Sequence, residues 1–223
     1  MLMVNNLTGF GAFSGGAPAT VSFTDNMVDD STLTTYTFTT RAIGTAAANR
    51  VVVVSVSTER NGASRATVSS MTIGGISATL AVAVSSADEE IELWEAVVPT
   101  GTTATIVVTL AAASVFCACG IWAVYGSGTT AYNTASHTGT LSLSASLNVP
   151  AGGVAIGASA VNTGATWTWG GITENFDATH RSGNRNYSGA SLAFAVAQTG
   201  LSITATASGG TTSTARLVVA SWS

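Results

Sequence analysis

The sequence has 223 residues, a length that suits one large β domain or two small ones. Apolar residues make up 46% of it and charged residues only 8%, so the chain can bury a core but must cover its surface with uncharged side chains. All seven basic residues are arginines, scattered along a chain of net charge −4. The absence of lysine excludes Schiff-base chemistry by a lysine side chain. The scattered arginines do not predict nucleic-acid binding, and no apolar run is long enough to predict a membrane-spanning helix.

The first segment, residues 1–18, differs from the rest because it mixes large apolar residues with glycines. Exposed apolar side chains are unfavourable on a free arm, so we expect this segment to dock on its own sheet or on a neighbouring subunit. The side chains expected to dock are Leu2, Met3, Val4, Leu7, Phe10 and Phe13.

The region 19–126 predicts a series of short strands, because runs rich in Val, Ile and Thr alternate with Gly, Asn and Ser. We expect strands near 20–24, 34–40, 50–57, 69–74, 78–84, 90–98, 103–110 and 115–125, with the segment AAAS at 111–114 as a loop. Cys117 and Cys119 share one face of a strand, where a bridge would be strained, so two buried free thiols are expected.

Two acidic groups in this region could carry chemistry. The larger group predicts a solvated hairpin tip. Docking to arginines of a neighbouring protein is the alternative, and hydrolysis by paired carboxylates is ranked far below both. It consists of Asp88, Glu89, Glu90, Glu92 and Glu95. The smaller group lacks the spacing of an EF-hand, so its members are interpreted as turn residues and no metal site is predicted. It consists of Asp25, Asn26, Asp29 and Asp30.

The region 127–223 continues the strand pattern and resembles the region before it. Strands are expected near 140–147, 153–161, 165–170, 172–177, 189–197, 201–207 and 215–222. MTIGGI at 71–76 matches WTWGGI at 167–172, and LWEAVVPTG at 93–101 matches LAFAVAQTG at 192–200. Such matches in the same order indicate an internal repeat of just under 100 residues. In each double glycine we expect a tight hairpin turn.

The most polar stretch of the second region, residues 177–189, is the predicted contact loop for a partner or a glycan. Its candidate contact residues are Asp177, His180, Arg181, Asn184, Arg185, Asn186 and Tyr187. Trp167 and Trp169 could stack on a sugar, but their repeat equivalents are aliphatic, which favours a place in the core.

The predicted fold is an all-β antiparallel sandwich, jelly-roll-like and built from two sequence-similar halves. The two β repeats, 19–126 and 127–223, are expected to merge into one sandwich body. The absence of a Pro-rich or charged linker between the halves favours one body, and two tandem immunoglobulin-like sandwiches are the alternative.

A family resemblance follows from the order of several segments, among them TYTFTTRAIGTAAANRVVVVSVS, ELWEAVVPTGTTATIVVTL and TWTWGGITENFD. This order resembles β-rich minor structural proteins of tailed bacteriophages. The resemblance implies a virion protein assembled in the bacterial host cytoplasm: a capsid decoration (cement) protein, or a head or tail spike or tail-fibre component. It implies no catalytic residues.

We therefore predict a non-enzymatic virion protein without cofactors, in first place a capsid decoration (cement) protein, with a tail-fibre or spike component as an alternative. It would stabilise the particle by subunit packing against major capsid or tail proteins, with a homo-oligomer, most simply a trimer, as its own state. The alternative from another class is a carbohydrate-binding module for host attachment, which would use the contact loop and exposed aromatic residues.

Overall fold

The computed structural model describes residues 17–60, 66–86, 89–181, 184–208 and 214–223. Within these ranges the regular secondary structure consists of β-strands alone, and every strand pair is antiparallel. This confirms the predicted all-β sandwich. The described residues accordingly contain no helix long and apolar enough to cross a membrane. The predicted docking residues from Leu2 to Phe13 lie outside the described ranges.

The first half of the chain forms a jelly roll. One sheet has the order β1-β8-β3-β7-β6, and the facing sheet has the order β2-β8-β4-β5, so that β8 belongs to both. Two sheets that exchange strands in this order enclose one core between them. The strands are β1 (Thr20–Asp29), β2 (Leu33–Ala42), β3 (Val51–Arg60), β4 (Val68–Ile73), β5 (Ile76–Ser77), β6 (Thr79–Ser85), β7 (Glu89–Val97) and β8 (Thr103–Tyr125).

The shared strand β8 is unbroken over 23 residues. Its first part pairs with β2 and β4, and its second part pairs with β1 and β3. The loop predicted at 111–114 is therefore wrong. The small side chains at 111–114 let the strand pass from one sheet to the other. At the crossing, the Ser114 hydroxyl donates a hydrogen bond to the carbonyl of Glu59 at 2.7 Å.

The second half repeats the same pairing scheme. Its five-stranded sheet has the order β9-β16-β11-β14-β13, and its three-stranded sheet has the order β10-β15-β12. In this scheme β4 and β12 hold equivalent places, and the turns after them contain Gly75 and Gly171, both at positive φ. The strands are β9 (Asn133–Gly139), β10 (Ser142–Val149), β11 (Val154–Val161), β12 (Thr166–Gly170), β13 (Thr173–His180), β14 (Arg185–Ala193), β15 (Gln198–Ser208) and β16 (Ala215–Trp222).

Three apolar clusters divide the molecule into four layers. One cluster fills each sandwich, and the third lies between the two five-stranded sheets, where Trp122, Phe176 and Trp222 are buried. Across this third core β6 packs against β9 and β1 against β13. Because β9 and β13 are the second-half equivalents of β1 and β6, the halves face each other as the subunits of an isologous dimer do. Each half thus closes its own sandwich, and the pair forms one stacked body.

The two cysteines lie on β8 within the core of the first sandwich. Both are free and fully buried, and their sulfur atoms are 3.8 Å apart. This confirms the expectation of two buried thiols. Burial raises the pKa of Cys117, so its thiol stays protonated.

Candidate functional site

The predicted contact loop is mostly strand. Asp177 and His180 lie on β13, and the segment that begins at Arg185 lies on β14, so the connection between the strands is short. Asn186 and Tyr187 are each 2% exposed and cannot contact a partner. The Tyr187 ring lies in the core between the halves and its hydroxyl donates to the carbonyl of Met27 at 3.2 Å. Sequence reasoning missed this burial because the strand is polar on one face only.

A surface depression of about 430 Å³ lies at the end of this hairpin, lined by Asp30, Arg181, Asn184 and Arg185. Arg181 adopts a positive φ of 49° and its amide donates to the carboxylate of Asp30 at 3.2 Å. Its guanidinium donates to the carbonyl of Val115 at 2.9 Å. The depression therefore offers fixed charges and an amide side chain, which suit a polar ligand. Three of the seven predicted contact residues line it: Arg181, Asn184 and Arg185.

His180 pairs with Asp30 and not with Asp177, the acid three positions before it in sequence. Its Nδ1 lies 3.3 Å from Oδ1 of Asp30, whereas Asp177 accepts from the amide of Trp167 at 2.8 Å. Burial lowers the pKa of His180 and its ring packs edge-on against Phe116, with the ring centroids 4.3 Å apart. The His180–Asp30 pair joins the second half to the end of β1.

The acidic group at the start of β7 is largely buried, so the predicted solvated tip is wrong. Glu89, Glu92 and Glu95 are 3–4% exposed. Asp88 lies outside the described residues. Sequence reasoning failed here because Glu89 and Glu95 have partners far along the chain, in the second half, and Glu92 is buried within the first half. Glu89 pairs with arginines of the same chain, and docking of this acidic group to arginines of a neighbour stays a prediction.

The buried ion cluster consists of Glu59, Glu89, Arg185 and Arg216. Arg216, 1% exposed, donates to Glu89 and to the hydroxyl of Ser86. Arg185 donates to Glu59 at 2.5 and 2.8 Å and lies 3.2 Å from Glu89. Burial raises the pKa of Glu89 to about 7, opposed by the two guanidinium groups. The cluster ties β3 and β7 of the first half to β14 and β16 of the second.

Other buried polar groups also find hydrogen-bond partners within the chain. Arg50 is fully buried and donates to the carbonyls of Gly44, Val98, Thr100 and Gly101 at 2.7–2.9 Å. Burial raises the pKa of Glu92 to about 8, although the carboxyl accepts hydrogen bonds from the indole of Trp94 and the amide of Val68. These groups stabilise turns and strand ends.

The remaining candidates give no ligand site. Trp167 is 4% exposed and packs in the core of the second sandwich, and Trp169 lies half-buried against that core. The pair is therefore not a sugar-stacking platform, and the predicted place in the core is confirmed. Asp25 binds Arg41 at 2.7 Å, and Asp29 accepts from the amide of Ser31. Among the described residues no group of three or more His, Cys, Asp or Glu side chains could hold a metal ion.

The outer faces of the molecule are built from hydroxyl side chains. On the three-stranded sheet of the second half, every second residue points outward, and these residues are uncharged. We call this surface the second hydroxyl face; it consists of Ser142, Ser144, Ser146, Thr166, Thr168, Ser202, Thr204, Thr206 and Ser208.

The equivalent sheet of the first half presents the same kind of surface at the opposite end of the stack. This sheet also exposes two apolar side chains, Leu33 and Ile76, and Val107 is partly exposed among the hydroxyl groups. This first hydroxyl face consists of Thr35, Thr37, Ser70, Thr72, Thr105 and Thr109. No sequence motif marks the two faces, because their signal is only the alternation of Ser or Thr with apolar residues.

Comparisons with known proteins return no relative: no protein family, no curated protein and no solved structure matches the chain. Function must therefore be argued from the residues and their arrangement.

Proposed function

We propose that this chain is a non-catalytic structural subunit of a tailed-bacteriophage virion, of the capsid-decoration (cement) type. The observation that carries the proposal is the pair of uncharged hydroxyl faces at the two ends of a stacked jelly-roll body. Hydroxyl groups hydrogen-bond to a neighbouring backbone or side chain without the desolvation cost of a charge. Jelly rolls also serve in viral capsid domains, an analogy at the level of fold only.

The placement of charge supports the same role. Arg50, Arg216 and Glu89 are turned inward, which leaves a surface with little charge repulsion between adjacent molecules. A body with two equivalent faces can contact two neighbours at once, and simultaneous contacts multiply affinity. The mechanism proposed is bridging: each molecule holds neighbouring subunits of the particle together.

The proposal is tested by rebinding purified protein to particles that lack it, followed by co-sedimentation and by the temperature at which the particles release their genome. Thr206→Arg on the second hydroxyl face and Thr37→Arg on the first would each bury an unpaired cation against a neighbour. We expect at least a tenfold loss of binding for each and no detectable binding for the double variant.

The matched control is Thr129→Arg, an exposed position outside both faces, which should bind as the unchanged protein does. Binding of all variants with equal affinity would overturn the role of the faces. Absence of the protein from the capsid with presence in the tail would replace decoration with a tail-fibre or spike role.

A second candidate, glycan binding for host attachment, has one specific observation in its favour. The depression lined by Arg181 and Asn184 offers donors and acceptors at the surface. Binding on a glycan array that is lost in Asn184→Ala would establish it, and an array without any bound glycan would dismiss it.

A further inference from the structure

A groove between the edge strands β6 and β9 is not used by any contact described above. It has a volume of about 430 Å³, and its lining includes Thr79, Leu80, Glu95, Tyr132, Asn133 and Thr134. The groove lies at the side of the stacked body, where the first and second halves meet, and is thus separate from both hydroxyl faces.

Two large side chains on the groove are unusually open for this molecule. Tyr132 is 59% exposed and Leu80 is 44% exposed, although most large apolar side chains of the described strands are buried. An aromatic ring and an aliphatic side chain that border one concavity provide an apolar wall for a ligand.

The floor of the groove holds a buried carboxylate. Glu95 is 4% exposed; one of its oxygens accepts from the indole of Trp222 at 2.6 Å and the other from the amide of Ala131 at 3.2 Å. The ion pairs found among the described residues use other acids, so within that part of the chain Glu95 faces no cation. Burial raises its pKa, which reflects the cost of an unneutralised charge.

We propose that this groove binds a lysine side chain of a neighbouring protein, with the ammonium group against Glu95 and the aliphatic stem along Leu80 and Tyr132. Charge complementarity selects a cation, and an apolar wall suits a long methylene stem. The tyrosine ring adds attraction for a cation. The inference rests on the proposed function for the source of the lysine, which would be an adjacent virion subunit.

The geometry favours an ammonium group over a guanidinium group. Each oxygen of Glu95 accepts one N–H and keeps one acceptor position. A bidentate guanidinium would need both remaining positions at once and on the same edge of the carboxylate, whereas an ammonium group needs only one of them. An ammonium group is a point charge that can use either remaining position, with hydroxyls such as those of Thr79 and Thr134 for its other protons. The chain itself contains no lysine, so a second copy cannot supply this group.

The experiment uses the full chain and a small probe, Nα-acetyl-lysine methyl ester, followed by amide chemical shifts at neutral pH and low ionic strength. We expect saturable shifts at residues 79–81 and 130–134, with a dissociation constant in the millimolar range that weakens as salt rises. Glu95→Gln should weaken binding at least tenfold and Tyr132→Ala severalfold, while Tyr132→Phe should bind nearly as well as the unchanged protein.

Controls separate the alternatives. Glu174→Gln, which removes an exposed carboxylate elsewhere, should leave binding unchanged, and the neutral probe Nα-acetyl-norleucine methyl ester should not bind. Because Tyr132 is exposed, its variants test the groove even if Glu95→Gln fails to fold. Equal binding of both probes, no shifts at all, or shifts with methyl glucoside only would overturn the proposal. Each of these outcomes is independent of particle binding, which tests the proposed function.

Discussion

Replacement of Arg216 by methionine is the sharpest test of how the two halves are joined. Arg216 is fully buried and donates to Glu89 across the boundary between β16 and β7. Removal of the guanidinium leaves the buried Glu89 with Arg185 as its described cation, and the loss of one partner of a buried pair costs about 3–5 kcal/mol. This is a large fraction of the stability of a typical domain.

The loss is measured by urea unfolding followed by tryptophan fluorescence, which reports on Trp122 and Trp222 in the core between the halves. The double variant Arg216→Met/Glu89→Gln should recover about 2 kcal/mol, because no buried charge is left without its partner. The loss should also be smaller at pH 5 than at pH 8, since the raised pKa of Glu89, about 7, leaves it neutral at the lower pH.

The matched control is Arg41→Met, which removes a partly exposed pair with Asp25 inside the first half. There we expect a loss below about 1 kcal/mol. Losses of similar size for Arg41→Met and Arg216→Met, or additive effects in the double variant, would refute the reasoning.

Three further predictions concern buried groups. Burial raises the pKa of Glu92 from 4.5 to about 8, so its contribution to stability is full below pH 4.5 and is lost as the pH rises through 8. Glu92→Gln should therefore flatten the fall in unfolding free energy between pH 4.5 and 8, which urea titrations at several pH values measure. Gly189→Ala should cost about 1–3 kcal/mol, because a Cβ atom there would lie 2.6 Å from the ring of Trp122; a thermal melt unchanged from that of the original protein would contradict this. Cys117 and Cys119 should react with a thiol reagent only at the rate of unfolding, and fast labelling of the native protein would show the core to be open.

The strand content and the buried thiols could be predicted because they depend on local pattern. Val51–Val54 is apolar on both faces, a pattern typical of a central strand, and the structure places β3 between β7 and β8 with apolar clusters on either side. Cys117 and Cys119 were placed correctly from the period of a strand alone.

The strand β9 was missed because it carries few apolar residues. Its sequence NTASHTG has the composition of a loop, yet it pairs with β16 along the edge of the second large sheet. An edge strand needs only one neighbour and can leave a face in water, so its formation depends on the adjacent strand more than on its own residues.

The burial and ion pairs of these charged residues could not be predicted because their partners are distant in sequence. Glu89 and Arg216 are separated by 127 positions, and Arg185 and Glu59 by 126. A pattern of acids in a row indicates a solvated tip unless the second half is known to fold back over it. The internal stacking of the two halves is therefore the information that sequence reasoning lacked.

The most direct test of the proposed virion role is cryo-electron microscopy of the particles whose genome encodes this chain. We predict density for the four-layered body at a fixed position on the capsid lattice, with at least one hydroxyl face against a neighbouring subunit. Intact particles without such density, or a protein found only as a free molecule with both faces in solvent, would contradict it.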